Sequence, residues 1–152
     1  MDIKFQKYTA KAEGFFKILP KEWQQVVRPI WSKEYENADI YVLIANDEII
    51  SGGIVFKGLT PDMYSFEKEA VKFVNAGYYY IGYLWVVESR RGENLGSFWL
   101  DSLKIYYSKT NFWLAIEDEK LKKFYLKNGF KLIKESNDIE NKEWLFLFKV
   151  DE

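Results

Sequence analysis

The stretch "LWVVESRRGENLGS", residues 84–97, decides how this chain is expected to fold. A run of large apolar residues gives way to two arginines and a glycine-bearing turn, and an amphipathic helical pattern follows. Such a strand–turn–helix connection directs free backbone N–H groups and the positive end of the helix dipole at one point. Two interpretations remain open from this stretch alone: a loop that binds phosphate, or a simple connection, since short glycine motifs also match by accident.

The side chains of this turn also suit an anion. Gly92 and Gly96 would let the backbone approach a phosphate closely or adopt positive φ. Arg90 or Arg91 would add a charge-assisted hydrogen bond, and Ser97 would donate another from the first helical turn. The spacing lacks the third glycine of a dinucleotide fingerprint and the Gly-Lys-Ser/Thr of a nucleotide-hydrolase loop. An anion that binds here would therefore use a different kind of loop.

Composition narrows the function classes. The 152 residues are 48% hydrophobic, 30% charged and 19% aromatic, which is typical of a globular protein with an aromatic-rich core, pocket or interface. A net charge of −1 predicts no nucleic-acid or anionic-membrane partner. The chain has neither cysteine nor histidine, so any acid–base chemistry falls to Glu, Asp, Tyr or Lys, and no metal site is expected. No signal peptide or membrane span is apparent, and a cytoplasmic location is expected.

Hydrophobic periodicity predicts the order of the elements. We expect a strand, two helices, a hairpin, a helix, a strand, a helix, a strand, a helix and two final strands. The apolar run at residues 78–87 is expected in the middle of the sheet. The chain is thus predicted to form a single domain, residues 1–152, with a mixed α/β sheet and helices on both faces.

Several local features are also predicted. Pro29 lies inside a helical stripe, where we expect a kink or a break. Gly52 and Gly53 predict a bulge or a close approach by another backbone. Thr60 is expected to cap the helix that starts at Pro61.

The loop resembles the acyl-coenzyme A loop of the GNAT superfamily of N-acyltransferases. That family's pattern is Arg/Gln-x-x-Gly-x-Gly/Ala after a central strand that ends Leu-x-Val, and Leu84, Val86, Arg91 and Gly96 match it in register. Asn94 stands where the family usually has its first glycine, and asparagine tolerates left-handed backbone better than most residues.

A second motif lies where the family has its own. The stretch "DEKLKKFYLKNGF", residues 118–130, resembles the family helix that ends Phe-Tyr-x-Lys-x-Gly-Phe. Asp118 stands where the family often has Asn, and Leu121 where it often has Ala. The resemblance implies a mixed, mostly antiparallel, splayed sheet of about seven strands with helices on both faces.

The resemblance also implies an activity and a set of site residues. It implies transfer of an acetyl group from acetyl-CoA to a primary amine by direct attack, with the backbone at residues 85–87 holding the pantetheine arm. The Val86 N–H would face the thioester oxygen, and Tyr125 would protonate the departing thiolate, although Tyr125 is otherwise explained as a packing residue. The cofactor residues implied are Trp85, Val86, Val87, Arg91, Gly92, Glu93, Asn94, Leu95, Gly96, Ser97, Asp118 and Phe124.

The general base and the acceptor are less determined. Glu117 is the first candidate for a base and Tyr80 the second, although a water chain would also serve. The acceptor is a small-molecule or peptide amine, and four aromatic residues are candidates to line its pocket: Trp23, Trp31, Tyr35 and Tyr64.

Alternatives remain at this point. The domain is alternatively a non-catalytic coenzyme A-binding sensor or scaffold, or an enzyme that uses a longer acyl donor. The apolar stretch "EWLFLFKV", residues 143–150, favours pairing between the last strands of two copies, so a homodimer is possible.

Overall fold

The alternating and helical patterns of the sequence produce seven strands and five α-helices in a computed structural model, which describes residues 2–150. The strands are β1 (Lys4–Lys7), β2 (Ala38–Ala45), β3 (Glu48–Phe56), β4 (Tyr79–Val86), β5 (Phe112–Ile116), β6 (Lys131–Glu135) and β7 (Trp144–Phe148). The helices are α1 (Glu13–Phe16), α2 (Lys21–Glu34), α3 (Glu67–Asn75), α4 (Leu95–Tyr106) and α5 (Lys122–Lys127). Within the described residues, no helix is both long enough and apolar enough to cross a membrane.

The seven strands form one sheet in the order β1-β2-β3-β4-β5-β7-β6. Within residues 2–150, β4 and β5 are the one parallel pair, and every other neighbouring pair is antiparallel. The predicted mixed, mostly antiparallel sheet is therefore confirmed, and so is the central position of β4.

Helices cover both faces of the sheet, as predicted. Along each strand, alternate residues enter two separate cores, as the two-residue period of a strand requires. Ile40 and Val42 pack with α1, α2 and α3 on one face. Tyr41 and Leu43 pack with α4 and α5 on the other.

The structure corrects two local predictions about helices. Helix α2 continues through Pro29, so the expected break is absent, and Val27 and Ile30 on either side are buried against the sheet. The Thr60 side chain caps no helix: residues 61–66 form a 3-10 turn, and the buried Thr60 hydroxyl has no hydrogen-bond partner among the described residues. The α-helix starts only at Glu67.

The apolar residues 143–150 do not support the expected pairing of two copies through this segment. Strand β7 lies between β5 and β6, so both of its edges are already hydrogen-bonded and its apolar side chains are core residues. The edge strand on this side of the sheet is β6, whose five residues are all exposed. A long apolar run indicated a strand correctly, but it indicated an interior strand and not an interface.

A candidate active site between two diverging strands

Strands β4 and β5 separate soon after they begin. Their ladder consists of Tyr79 paired with Phe112 and Tyr80 paired with Trp113, although β4 continues to Val86 and β5 to Ile116. Beyond these two pairs, the facing edges of the two strands are not joined in the ladder. This gap is the splay that the family resemblance implied.

A bulge in β4 accompanies the gap. Gly82 pairs with Ile54 and Trp85 with Gly52, so two residues of β4 lie opposite Gly53 alone. One of the two, Tyr83, has a left-handed backbone with a φ of 60°, which costs about 1–3 kcal/mol in a residue other than glycine.

The two glycines of β3 were expected at a bulge or a close contact, and they make both. A Cβ on Gly53 would lie 2.8 Å from the ring of Trp99, and one on Gly52 would lie 2.6 Å from the ring of Phe15. Backbone also approaches, since the same Cβ on Gly52 would lie 3.0 Å from the Tyr41 carbonyl oxygen of β2. Large side chains at these positions would prevent the helices from packing on the sheet.

The end of β4 leaves a backbone N–H at the open edge. The Val87 N–H donates to the Ile50 carbonyl of β3 at 3.0 Å. Because successive backbone groups of a strand point to opposite sides, the Val86 N–H faces away from β3 and into the gap. Both backbone groups of Val87 are already hydrogen-bonded, because its carbonyl accepts a hydrogen bond from the Arg90 N–H.

A groove of about 860 Å³ runs from this open edge along the turn after β4. We call it the loop groove, and every predicted cofactor residue except Val87 and Glu93 lines it. Glu93 instead pairs with Arg90 through an ion pair of 2.9 Å. Lys127 and Trp23, which were not predicted as cofactor residues, also line the groove.

The backbone of the turn has the conformation that an anion-binding loop needs. Gly92 and Asn94 both have positive φ, at 83° and 62°, as the tolerance of asparagine for this region predicted. The first hydrogen bond of α4 joins the Phe98 N–H to the Asn94 carbonyl at 3.1 Å. The N–H groups of the first helical turn, Leu95 to Ser97, therefore have no partner within the helix.

Two side chains of the loop make contacts that the sequence did not indicate. Arg91 lies over the Trp85 ring, 4.6 Å from its centroid, and its Nε donates to the Val86 carbonyl at 3.3 Å. The buried Ser97 hydroxyl accepts a hydrogen bond from Asn128 Nδ2 at 3.1 Å, which ties α4 to the end of α5. Ser97 lines the groove, and its hydroxyl hydrogen is not used in this contact.

Gly96 allows helices α4 and α5 to approach each other. A Cβ at Gly96 would lie 2.9 Å from the Phe124 ring. Its backbone is helical, so close packing explains this glycine, whereas positive φ explains Gly92. Phe124 covers one side of the loop groove as a result.

A second cavity, of about 480 Å³, opens where β4 and β5 diverge. We call it the sheet cavity; its walls come from residues 80–84, 114–118 and 22–26, with Asp62, Leu121, Tyr125 and Glu143. It shares five residues with the loop groove: Trp23, Leu84, Asp118, Leu121 and Tyr125. The two spaces are therefore neighbours that meet at the gap in the sheet.

Tyr125 lies where the two spaces meet. Its side chain is only 6% exposed, and its hydroxyl has no hydrogen-bond partner among residues 2–150. Burial raises the pKa of Tyr125 above its ordinary value, since the charged phenolate would be poorly solvated. The hydroxyl is therefore protonated near neutral pH and available to donate.

Acidic side chains line the sheet cavity. Asp62 accepts a hydrogen bond from the Tyr83 hydroxyl, and Glu143 accepts one from the Ser65 hydroxyl. Burial, followed by smaller effects that include repulsion from Glu117, raises the pKa of both carboxyl groups.

The two predicted bases differ in their suitability. Tyr80 lines the sheet cavity, but burial raises its pKa, which opposes loss of the phenolic proton. Glu117 is an exposed carboxylate on the same wall and follows directly after β5. Since both residues line the cavity, the raised pKa of Tyr80 favours Glu117 as the base.

Only one of the four predicted acceptor-pocket aromatics lies in the site. Trp23 lines both spaces and packs against Trp85 and Tyr83, with ring centroids 5.2 Å and 5.9 Å apart. Trp31 packs on Phe16 in the core, while Tyr35 and Tyr64 are 53% and 80% exposed. No local pattern in the sequence distinguishes these four residues.

Solved structures of known proteins share this architecture. One is a protein from Desulfovibrio desulfuricans assigned to the GNAT family of acetyltransferases, with a TM-score of 0.72 at 11% identity over 99% of this chain and 100% of that chain. Another is a GNAT-family acetyltransferase from Elizabethkingia anophelis with acetyl-CoA bound, with a TM-score of 0.62 at 11% identity over 97% and 98%.

A third is Naa50 from Arabidopsis thaliana in complex with the bisubstrate analogue CoA-Ac-MVNAL, with a TM-score of 0.65 at 19% identity over 97% and 98% of the two chains. The chain has the GNAT fold. No protein-family model and no curated protein matches the sequence. The GNAT architecture is therefore established by three-dimensional similarity at low sequence identity.

Proposed function

We propose that this GNAT-fold protein transfers an acetyl group from acetyl-CoA to a primary amine. The observation that carries the proposal is the junction of the loop groove and the sheet cavity at Tyr125, across the gap between β4 and β5. A donor in one space and an acceptor in the other would meet beside the hydroxyl of Tyr125, which has no hydrogen-bond partner among residues 2–150.

The loop groove suits the diphosphate and pantetheine of coenzyme A. The free N–H groups of the first turn of α4 would bind the diphosphate, together with the guanidinium of Arg91. The open edge of β4 at Trp85 and Val86 would hydrogen-bond the pantetheine amides, as a neighbouring strand would. The acetyl-CoA bound to the Elizabethkingia protein and the coenzyme A analogue bound to Naa50 support this donor.

The chemistry needs four groups at the gap. The amine nitrogen attacks the thioester carbonyl carbon, and the Val86 N–H stabilises the negative charge that develops on the carbonyl oxygen. The carbon–sulfur bond then breaks while Tyr125 donates its proton to the sulfur. Glu117 accepts the proton that the amine loses. The products are an amide and a free thiol, and the proton on Glu117 returns to Tyr125 by exchange through solvent, so atoms and charge balance for a neutral amine.

The test is calorimetric titration of acetyl-CoA, followed by mass spectrometry of a panel of amines incubated with acetyl-, succinyl- and medium-chain acyl-CoA. We expect binding and transfer of acetyl in preference to the longer groups. Binding without transfer to any amine would favour the sensor or scaffold alternative, and preference for a longer group would correct the donor. An absence of coenzyme A binding would overturn the proposal.

A further inference from the structure

We infer that the acceptor carries at least two ammonium groups, one that reacts and a second that Asp62 and Glu143 bind in the sheet cavity. The inference rests on the proposed function, and it names the class of the acceptor. Aliphatic polyamines and amino sugars share this chemistry.

The sheet cavity is a ligand site on grounds that do not involve its carboxylates. It lies where two neighbouring strands of a sheet leave their edges unpaired, and it opens onto the loop groove. Tyr125, 6% exposed and without a hydrogen-bond partner among residues 2–150, lines it. An unused hydroxyl in a cavity of this size indicates a place for a polar molecule.

The negative charge of this cavity is not neutralised within the described chain. Asp62, Glu117 and Glu143 lie close enough to repel one another, and no Lys or Arg of residues 2–150 forms an ion pair with them. The Tyr83 and Ser65 hydroxyls donate hydrogen bonds to Asp62 and Glu143, but neutral donors leave the charge in place.

The charged side chains of the loop groove are mainly basic, whereas those of the sheet cavity are acidic, so the two spaces suit ligands of opposite charge. Arg90, Arg91 and Lys127 outnumber the one acidic residue, Asp118, that lines the loop groove, whereas no Lys or Arg among residues 2–150 lines the sheet cavity. An anionic donor would be attracted to the first space and a cationic acceptor to the second.

The carboxylates suit the second ammonium and not the reacting one. The reacting nitrogen must be neutral to attack, and Glu117 is the carboxylate proposed to accept its proton, which leaves Asp62 and Glu143 to bind the second ammonium. Asp62 and Glu143 line only the sheet cavity, whereas Tyr125 lines both spaces. The rings of Trp23 and Tyr83 also line the cavity, where they would cover an alkyl chain or sugar ring.

The first experiment compares acceptors that differ by one charge. Initial rates with putrescine and with butylamine, which have the same four-carbon chain, should favour putrescine by about tenfold or more in kcat/KM. Spermidine and kanamycin, tested as acceptors, distinguish polyamines from amino sugars. A peptide with no charged side chain tests an acceptor that has a single ammonium group, its N-terminus. Equal or better rates with butylamine and the neutral peptide would overturn the inference while leaving the proposed function intact.

The matched variants are Asp62→Asn and Glu143→Gln, with Glu140→Gln on the exposed loop as the control. Each cavity variant should reduce the preference for putrescine over butylamine by about tenfold, mainly through KM, and the control should not change it. Thermal unfolding confirms that each variant folds, since Asn and Gln still accept the hydroxyl hydrogen bonds.

The second experiment does not depend on catalysis. Spermidine is titrated calorimetrically into the protein saturated with coenzyme A, at two salt concentrations. We expect binding that weakens with salt and is lost in the Asp62→Asn/Glu143→Gln double variant. Such binding without any acetyl transfer would support the inference and count against the proposed function. Absent binding, or binding that the double variant retains, would overturn the inference.

Discussion

The loop groove and the sheet cavity meet at one tyrosine, yet the chain builds them in different ways. Most of the loop groove comes from two short segments, residues 84–97 and 118–127. The sheet cavity combines residues from five separate parts of the sequence, from Glu22 to Glu143. One space contains basic side chains and free backbone N–H groups, and the other contains unpaired carboxylates.

This difference indicates that local structure determines the loop groove, whereas the packing of distant segments determines the sheet cavity. The loop groove depends on backbone conformation at Gly92 and Asn94 and on the start of α4, which neighbouring residues determine. The sheet cavity depends on how α2, the turn after β3 and the turn before β7 pack together. Substitutions in the two spaces should therefore have separable effects on donor binding and acceptor choice.

The largest effect is expected where the two spaces meet. Tyr125→Phe should lower kcat by about a hundredfold or more, because the departing thiolate loses its proton donor. Acetyl-CoA affinity, measured calorimetrically, should change little, since the ring and its packing remain. Tyr79→Phe, at the paired start of β4, is the matched control. Unchanged turnover in the Tyr125 variant would show that the junction is not the reaction centre.

A second substitution tests the close packing of α4 against α5. Gly96→Val should lower the free energy of unfolding by about 1–3 kcal/mol, since the added Cβ would contact the Phe124 ring at 2.9 Å. Acetyl-CoA affinity should fall by about tenfold or more as the groove distorts. Gly58→Val is the control, because a Cβ there meets nothing nearer than 3.9 Å. A Gly96 variant of normal stability would contradict the close packing of the two helices.

The charge of the loop groove is tested separately from its shape. Arg91→Ala should weaken acetyl-CoA binding by about tenfold and reduce its dependence on salt, because a charge-assisted contact to the diphosphate is lost. Lys109→Ala removes the same charge from an exposed site outside the groove and should have no effect. Equal losses of acetyl-CoA affinity in the two variants would indicate long-range electrostatic attraction and not a direct contact between Arg91 and the diphosphate.

The smallest effect is expected at Asn94. Asn94→Gly should change acetyl-CoA affinity by less than about threefold, because the left-handed backbone is already in place. Asn94→Val, by contrast, should cost about 1–2 kcal/mol of folding free energy, since a β-branched residue tolerates this conformation poorly. A large gain in affinity for the glycine variant would show that the asparagine side chain obstructs the donor.

The cofactor residues that the sequence implied lie mostly along one groove, whereas little in the sequence indicated the sheet cavity. Tyr125, Arg91 and Gly96 were indicated by two motifs that resemble those of the GNAT superfamily. Asp62 and Glu143 carried no such signal, since each is a single carboxylate in a polar turn. The use of Ser97 to hold Asn128 was also invisible, because that hydrogen bond joins residues 31 positions apart.

The sequence by itself determined the order of strands and helices, the left-handed positions of the loop and the interior character of β4. Each of these follows from the apolar period or from the backbone preference of a few neighbouring residues. Tertiary structure alone decided that β7 lies inside the sheet, that β4 and β5 diverge after two pairs, and that acidic residues from distant segments line one cavity. These features depend on which distant segments pack together, and no local pattern of side chains encodes that choice.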